Sequence, residues 1–293
     1  MTQEVGDAAE LDLTRYIRPG ALVAWGQGCA EPLTLTEALA GQRERLGGIR
    51  CFSGISTTAA VRPECCDYLS FSSYTAAGAN RALSDAGLPA VVLRHLRGHR
   101  DLGVHSGMIT DEIADLIEAG VITGTRKSTD RGLTVTGLLL GTSTLVKKAG
   151  VDKSIRLRDT RYTHDQAVLA AQHALAAINS AIEVDLTGQA NIEVARGRYV
   201  GGIGGAADFL RGAARSAGGI PVLALPSTAG TASRIVARLS GPAGLARADA
   251  GVIVTEYGVA DLRGLSLARR RERMIAIAHP DHRAALDRTE DKT

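Results

Sequence analysis

Long apolar runs are missing from this sequence, and their absence carries the first exclusion. No stretch approaches the ~20 consecutive apolar residues that a membrane-spanning helix needs, although 45% of the 293 residues are hydrophobic. A secretory signal is not visible either: the opening MTQEVGDAAELDL is acidic and has no basic start followed by an apolar core. These two features lead us to expect a cytoplasmic protein. Cysteine is sparse, at four residues. Cys29, Cys51, Cys65 and Cys66 form no C-x-x-C pair and no Cys/His metal spacing, and the adjacent Cys65 and Cys66 could join only through a strained ring, so reduced thiols and no metal are expected. Charge of one sign is not in excess. With 34 basic and 31 acidic residues the net charge is +3, which argues against a nucleic-acid surface. Aromatic residues make up only 3% of the chain.

Glycine, by contrast, is abundant. Thirty-four residues are Gly, about 12% against a usual ~7%, and they cluster in short motifs. Such clusters suit tight backbone turns around a ligand more than a flexible linker. A chain of this length holds about two domains or one large α/β unit.

Strand-like apolar runs alternate with amphipathic helices along the sequence. Ala21–Gly28 reads as a strand ending in a Gly turn, followed by a helix begun by Pro32 whose Leu35, Ala38 and Leu39 share a face. Further strands are expected at Ile49–Phe52, Leu102–His105, Leu133–Leu140, Val222–Leu225 and Gly251–Thr255. Helices are expected at Asp111–Ala119, Thr231–Leu239 and Ser266–Ala278. This rhythm predicts an α/β fold with largely parallel sheets and flanking helices. Around Asn179–Leu186, Gly188 and Gly201–Gly205, Gly-rich turns flank a short strand pair, where an extended ligand can approach bare backbone.

Several familiar motifs are incomplete. Gly26-Gln27-Gly28 follows a strand as a dinucleotide fingerprint would, but Glu31 stands where the third glycine belongs. The Gly120–Ser128 stretch fails the P-loop spacing, because Thr125 and Arg126 separate Gly124 from Lys127. His105 occupies the centre of Gly103–Gly107, which rules out a serine nucleophile elbow there. His279 and His282 flank Pro280 and read as a helix start lacking a third metal ligand, and Arg269, Arg270, Arg271 and Arg273 read as a solvated helix face. The most informative local feature is Gly201-Gly-Ile-Gly-Gly205 ahead of Ala206-Ala-Asp-Phe209. Glycines opening a helix present unobstructed N–H groups to an oxyanion or phosphate; close strand–helix packing is the alternative reading.

At these residues the sequence resembles the acetyl-CoA hydrolase/CoA-transferase family, class I CoA-transferases of the acetate and 4-hydroxybutyrate type. Four ordered blocks carry the resemblance: Leu102–Lys127 (LGVHSGMITDEIADLIEAGVITGTRK), Asn179–Gln189 (NSAIEVDLTGQ), Gly201–Ala213 (GGIGGAADFLRGA) and Val254–Leu267 (VTEYGVADLRGLSL). Ile275–Pro280 (IAIAHP) continues the pattern, and Tyr16–Leu39 is similar to the family's opening. The resemblance implies a CoA-transferase-like fold with an abridged N-terminal part over 1–101 and a C-terminal hydrolase/transferase-like domain over 102–293. The chain passes from Asn80–Gly87 almost directly to Leu88–Asp101, which leaves Gly87–Val91 as the remnant of a CoA-contacting loop.

The resemblance also implies a mechanism. A family glutamate attacks the acyl-CoA thioester, CoA thiolate converts the resulting anhydride to a glutamyl thioester, and an acceptor acid reverses the sequence. The matching position in Val104-His-Ser-Gly-Met108 is Gly107, which has no group to attack with. The backbone of Gly202, Gly204 and Gly205 would hold the CoA ester and its oxyanion, Asn179, Glu183 and Glu256 would orient substrate, and His105 could activate water. Glu112, five positions on from Gly107, points from a different turn. The expected substrates are coenzyme A esters and a small carboxylic acid, with no permanently bound cofactor, no metal, and a homo-oligomer or paralogue partner. Strands missing from a parallel sheet would expose edges and promote self-association. Two other readings stay open from sequence: a catalytically silent homologue serving as an interaction subunit, and, more remotely, a dinucleotide-binding oxidoreductase.

Overall fold

Alternation of short β-prone runs with small-residue helices produces three successive α/β segments, each with its own aliphatic cluster. The computed structural model describes residues 11–25, 32–53, 63–73, 92–93 and 95–289. The first segment has strands β1 (Leu22–Ala24), β2 (Ile49–Ser53) and β3 (Leu69–Ser73), all parallel, in the order β1-β2-β3. Helices α1 (Leu33–Gly41) and α2 (Arg43–Leu46) join β1 to β2. Leu39, Ala40, Leu46, Ile49, Cys51 and Leu69 close the core beneath them. Cys51, Cys65 and Cys66 are free thiols; Cys29, the Gly26–Gly28 turn and Gly87–Val91 lie outside the described residues.

The second segment repeats the parallel pattern with β4 (His105–Ile109), α3 (Asp111–Glu118), β5 (Thr134–Leu139), α4 (Ser143–Val151) and β6 (Ile155–Leu157). Its core is Ile109, Leu116, Ile122, Leu145 and Ile155, with Leu93 and Leu96 packed against it. The strand expected at Leu102–His105 lies further along the chain. Leu102 makes only an isolated bridge to Ile122, and the ladder with β5 starts at His105. Two short helices, α5 (Thr160–Thr163) and α6 (Gln166–Ala170), lead into the third segment. The carboxylate of Asp165 starts α6 by accepting the N–H groups of Ala167 and Val168 at 2.7 and 3.0 Å, the usual satisfaction of orphan donors at a helix start.

The third segment contains β7 (Ala176–Asn179), β8 (Glu183–Asp185), β9 (Ala190–Asn191), β10 (Val194–Ala195) and β11 (Arg198–Tyr199) before α7 (Ala206–Arg215). It continues with β12 (Ile220–Ala224), β13 (Thr228–Ala229), β14 (Ala232–Ser233), β15 (Ile235–Val236), β16 (Val252–Thr255) and β17 (Gly258–Asp261). Its main sheet runs β17-β16-β12-β7, parallel except for β17. The terminal helices α8 (Leu267–Ile277) and α9 (Pro280–Asp287) follow. Leu210, Leu223, Ile253, Leu262 and Met274 are fully buried between sheet and helices.

Two expectations are corrected in this segment. No helix forms over 231–239: a β13–β14 hairpin turns at Gly230 (φ 62°), and Ile235 pairs in parallel with Val184 of β8. The reason is Arg234. Its buried guanidinium donates to the carbonyls of Ile182 and Ala181 at 2.7 and 2.5 Å, and its own carbonyl accepts the Val184 N–H, so its polar groups are satisfied across strands. Nor is the arginine run of α8 a purely solvated face. Arg269 pairs with Glu272 at the surface, but Arg270 donates to the carbonyls of Thr187 and Arg247, and Arg271 to those of Leu286 and Asp287. Sequence periodicity cannot register such long-range tertiary bonds. His279 caps α9 as expected, accepting the Asp281 N–H through Nδ1.

Helices α6 and α7 cross at Gly212, where an added Cβ would sit 2.4 Å from the Leu169 Cβ. Gly212→Val should therefore overpack this crossing and lower unfolding stability by about 1–3 kcal/mol. Urea denaturation checks this, with Ala214→Val on the same helix as the comparison.

Candidate active site

Strand β4 places His105 and Gly107 on one face, because alternate residues of a strand point the same way. Opposite them stands the segment that follows β6. Helix α5 ends at Thr163, and His164 takes the C-cap position. The His164 imidazole lies between two glycines that are far apart in sequence. A Cβ on Gly107 would meet His164 Cε1 at 3.0 Å and Nε2 at 3.1 Å, and one on Gly205 would meet Cδ2 at 2.2 Å and Nε2 at 2.3 Å. Only bare backbone permits both approaches. The ring also packs edge-on against Phe209 in the first turn of α7, with centroids 5.1 Å apart.

The Gly-rich turn does open a helix, as its sequence suggests. Gly205 is the N-cap of α7, and Gly204 adopts the left-handed conformation (φ 54°) just before it. No acceptor among the described residues takes the N–H of Gly204 or Gly205. The start of α7 thus presents unused donors beside the His164 ring, in the place where a helix dipole favours negative charge. Gly202 belongs to the same turn and is half-buried.

His105 is only 7% exposed. Its Nε2 lies 3.2 Å from the Thr163 carbonyl, which can only accept, so the proton resides on Nε2. That leaves Nδ1 buried and without a hydrogen-bond partner. Burial, and then the nearby charge of Lys127, hold the imidazole pKa below its ordinary 6.5. Lys127 is itself partly buried, donating to the carbonyls of Val104 and Leu133 at 3.0 and 2.9 Å, and burial pushes its pKa down to about 8.

The acids expected to orient substrate lie in the third segment with their carboxylates engaged. Glu183 Oε1 accepts from Asn191 Nδ2 (3.0 Å) and from the Ser240 N–H (2.6 Å) and hydroxyl (2.8 Å). Glu256 accepts the Ser227 hydroxyl at 2.6 Å and N–H at 2.8 Å. Asn179 ends β7 opposite Leu223 of β12, and Glu112 takes the Thr110 hydroxyl at 2.6 Å. The structure therefore brings together Gly107 and Gly205, with His105 one strand step away, and ties up Glu183 and Glu256 elsewhere. His164 is the residue that sequence reasoning missed. Nothing in Tyr162-Thr-His-Asp165 marks it as more than a loop histidine before a helix cap.

Because His105 is buried as the neutral imidazole, the unfolded chain takes up a proton near pH 6.5 while the folded chain resists it. Stability should fall as pH drops below that value, until the folded imidazole also protonates. His105→Gln should flatten this acid-side slope, as measured by denaturation midpoints between pH 7 and 5.

Comparison with known proteins places these residues in context. Residues 141–290 match the acetyl-CoA hydrolase/transferase C-terminal domain. The 4-hydroxybutyrate coenzyme A transferase of Clostridium kluyveri is 37% identical over 213 residues, 71% of this chain and 50% of that protein. A butyryl-CoA:acetate CoA-transferase of Anaerostipes caccae is 38% identical over 200 residues, 66% of this chain and 45% of that protein. The chain thus spans about half the length of the curated relatives it matches. The crystal structure of a 4-hydroxybutyrate CoA-transferase from Porphyromonas gingivalis superposes with a TM-score of 0.74 at 26% identity, covering 96% of this chain and 95% of that one. The fold, the opening of α7 by glycines and the match over 141–290 agree: this chain belongs to the acetyl-CoA hydrolase/transferase family.

Proposed function

We propose that this protein acts on short-chain acyl-CoA thioesters, as a CoA-transferase or an acyl-CoA hydrolase, with a small carboxylic acid as the second reactant in transfer. The observation that carries this reading is the meeting of Gly107, His164 and the open start of α7 at one place. A thioester carbonyl there would have the unused N–H groups of Gly204 and Gly205 within the same turn. Each such donor aimed at a developing oxyanion is commonly worth ~3 kcal/mol to the transition state.

Coenzyme A esters are substrates in this reading, and no resident cofactor is required. Gly202 supports the oxyanion turn. Glu183 and Glu256 act on substrate indirectly, by fixing the backbone at Ser240 and Ser227, and Asn179 completes the β7 edge between them. His105 acts through Thr163, whose carbonyl it holds. The same reading divides the chain at residues 1–101 and 102–293, locates it in the cytoplasm, and pairs it with a second copy or a paralogue. No described helix is long and apolar enough to cross a membrane. Exposed Tyr199, Val200 and Ile203, just ahead of the Gly204 turn, support assembly at that face.

Gly107 supplies no nucleophile, so a covalent glutamyl intermediate does not form at that position. Introducing one requires room. Gly107→Glu alone forces the new Cβ against His164, whereas combining it with His164→Ser removes the obstruction. We expect calorimetry to detect binding of acetyl-CoA or butyryl-CoA to the unaltered protein. We further expect the double variant to exchange CoA between butyryl-CoA and acetate at a rate at least about tenfold above Gly107→Glu alone. Failure of the unaltered chain to bind any CoA ester overturns the reading.

A further inference from the structure

We propose that His164 is a catalytic general base of this protein, activating water for attack on an acyl-CoA thioester. The inference rests on the acyl-CoA reading above and goes beyond it by naming the group that takes the place of the missing carboxylate.

The hydrogen-bond network bears on the state of the ring. His164 Nδ1 lies 2.9 Å from Thr163 Oγ1, and that hydroxyl lies 3.3 Å from the Asp159 carbonyl. A hydroxyl has one proton to give. We assign the ring the tautomer in which Thr163 gives that proton to the Asp159 carbonyl, so that Oγ1 accepts from Nδ1–H and Nε2 keeps its lone pair. Nε2 has no hydrogen-bond partner among the described residues and is the one ring atom that a Cβ on either glycine would meet, at 3.1 Å from Gly107 and 2.3 Å from Gly205. A base needs an unprotonated nitrogen directed at the reaction centre and a second group holding the other nitrogen. In the assigned tautomer Nε2 is the unprotonated nitrogen, and Thr163 holds the other.

The ring is also held in place. Thr163 is fully buried, its carbonyl is gripped by His105 Nε2, and Phe209 packs against the imidazole edge. His105 is therefore a positioning residue: its own free nitrogen is buried, and it reaches the site only through Thr163. A side chain on Gly107 would crowd Nε2.

The chemistry balances with water as the only co-reactant. His164 Nε2 takes a proton as the water oxygen bonds to the thioester carbonyl carbon, and the negative charge passes to the carbonyl oxygen near the Gly204 and Gly205 N–H groups. Collapse of the tetrahedral intermediate breaks the C–S bond, and the imidazolium returns its proton to the departing thiolate. The products are a carboxylic acid and free CoA thiol.

The test uses the full chain and four probes: acetyl-, propionyl-, butyryl- and succinyl-CoA. Binding is measured by calorimetry and thiol release by a colorimetric thiol reagent. His164→Ala should lower thiol release about 100-fold or more with binding changed by less than about threefold, and added imidazole should restore at least about tenfold. The exposed His173→Ala should behave as the unaltered protein. If His164→Ala does not fold, His164→Gln replaces it, judged by the same split between binding and turnover. Turnover within about threefold of the unaltered protein in the His164 variant overturns the inference and leaves the acyl-CoA reading standing. So does ester binding without any hydrolysis by the unaltered chain, or a loss that tracks weakened binding and that imidazole does not restore. Absence of binding to all four esters overturns the acyl-CoA reading itself, and this inference with it.

Discussion

The close approach of the His164 imidazole to two glycine backbones is the constraint on which the site depends. It joins strand β4 of the second segment to the start of α7 in the third, and it tolerates no Cβ on Gly205 and little on Gly107. Interiors pack at near-crystalline density, so a ring in such a slot leaves its neighbours few alternatives. The absence of a side chain at 107 is thereby tied to the presence of a ring at 164. Each makes sense of the other in steric terms before any chemistry is considered.

The surrounding polar groups reinforce that arrangement. His105, Thr163 and His164 form a chain of hydrogen bonds in which the Thr163 carbonyl sets the His105 tautomer and the Thr163 hydroxyl meets His164 Nδ1. The carboxylates of buried Glu183 and exposed Glu256 are likewise hydrogen-bonded. Glu183 gathers Asn191 and Ser240, so that its buried carboxylate is satisfied by hydrogen bonds, and Glu256 gathers Ser227.

Local pattern made much of the fold legible. The β4–α3 alternation, the capping of α8 by Ser266 and of α9 by His279, and the Gly205 start of α7 all rest on neighbours within a few residues. The readings that needed correction involved distant partners. Residues 231–239 have a composition that a helix accepts, yet Arg234 finds its acceptors on the segment entering β8, some fifty positions earlier. Arg270 and Arg271 read as surface charge until the carbonyls of Thr187, Arg247 and Leu286 come within reach.

By itself, the sequence determined the α/β class, the parallel character of the sheets, the Gly-rich start of α7 and the lack of a carboxylate at position 107, because periodicity, capping and residue identity are local quantities. The tertiary structure decided that His164 is the side chain facing Gly107 and Gly205, and that Glu183 accepts from Ser240 and Glu256 from Ser227. Position 164 is 57 residues from 107 and 41 from 205. Only the packing of α5 against β4 and β5, and of Phe209 on α7 against the His164 ring, brings these three together, and no spacing along the chain encodes that meeting.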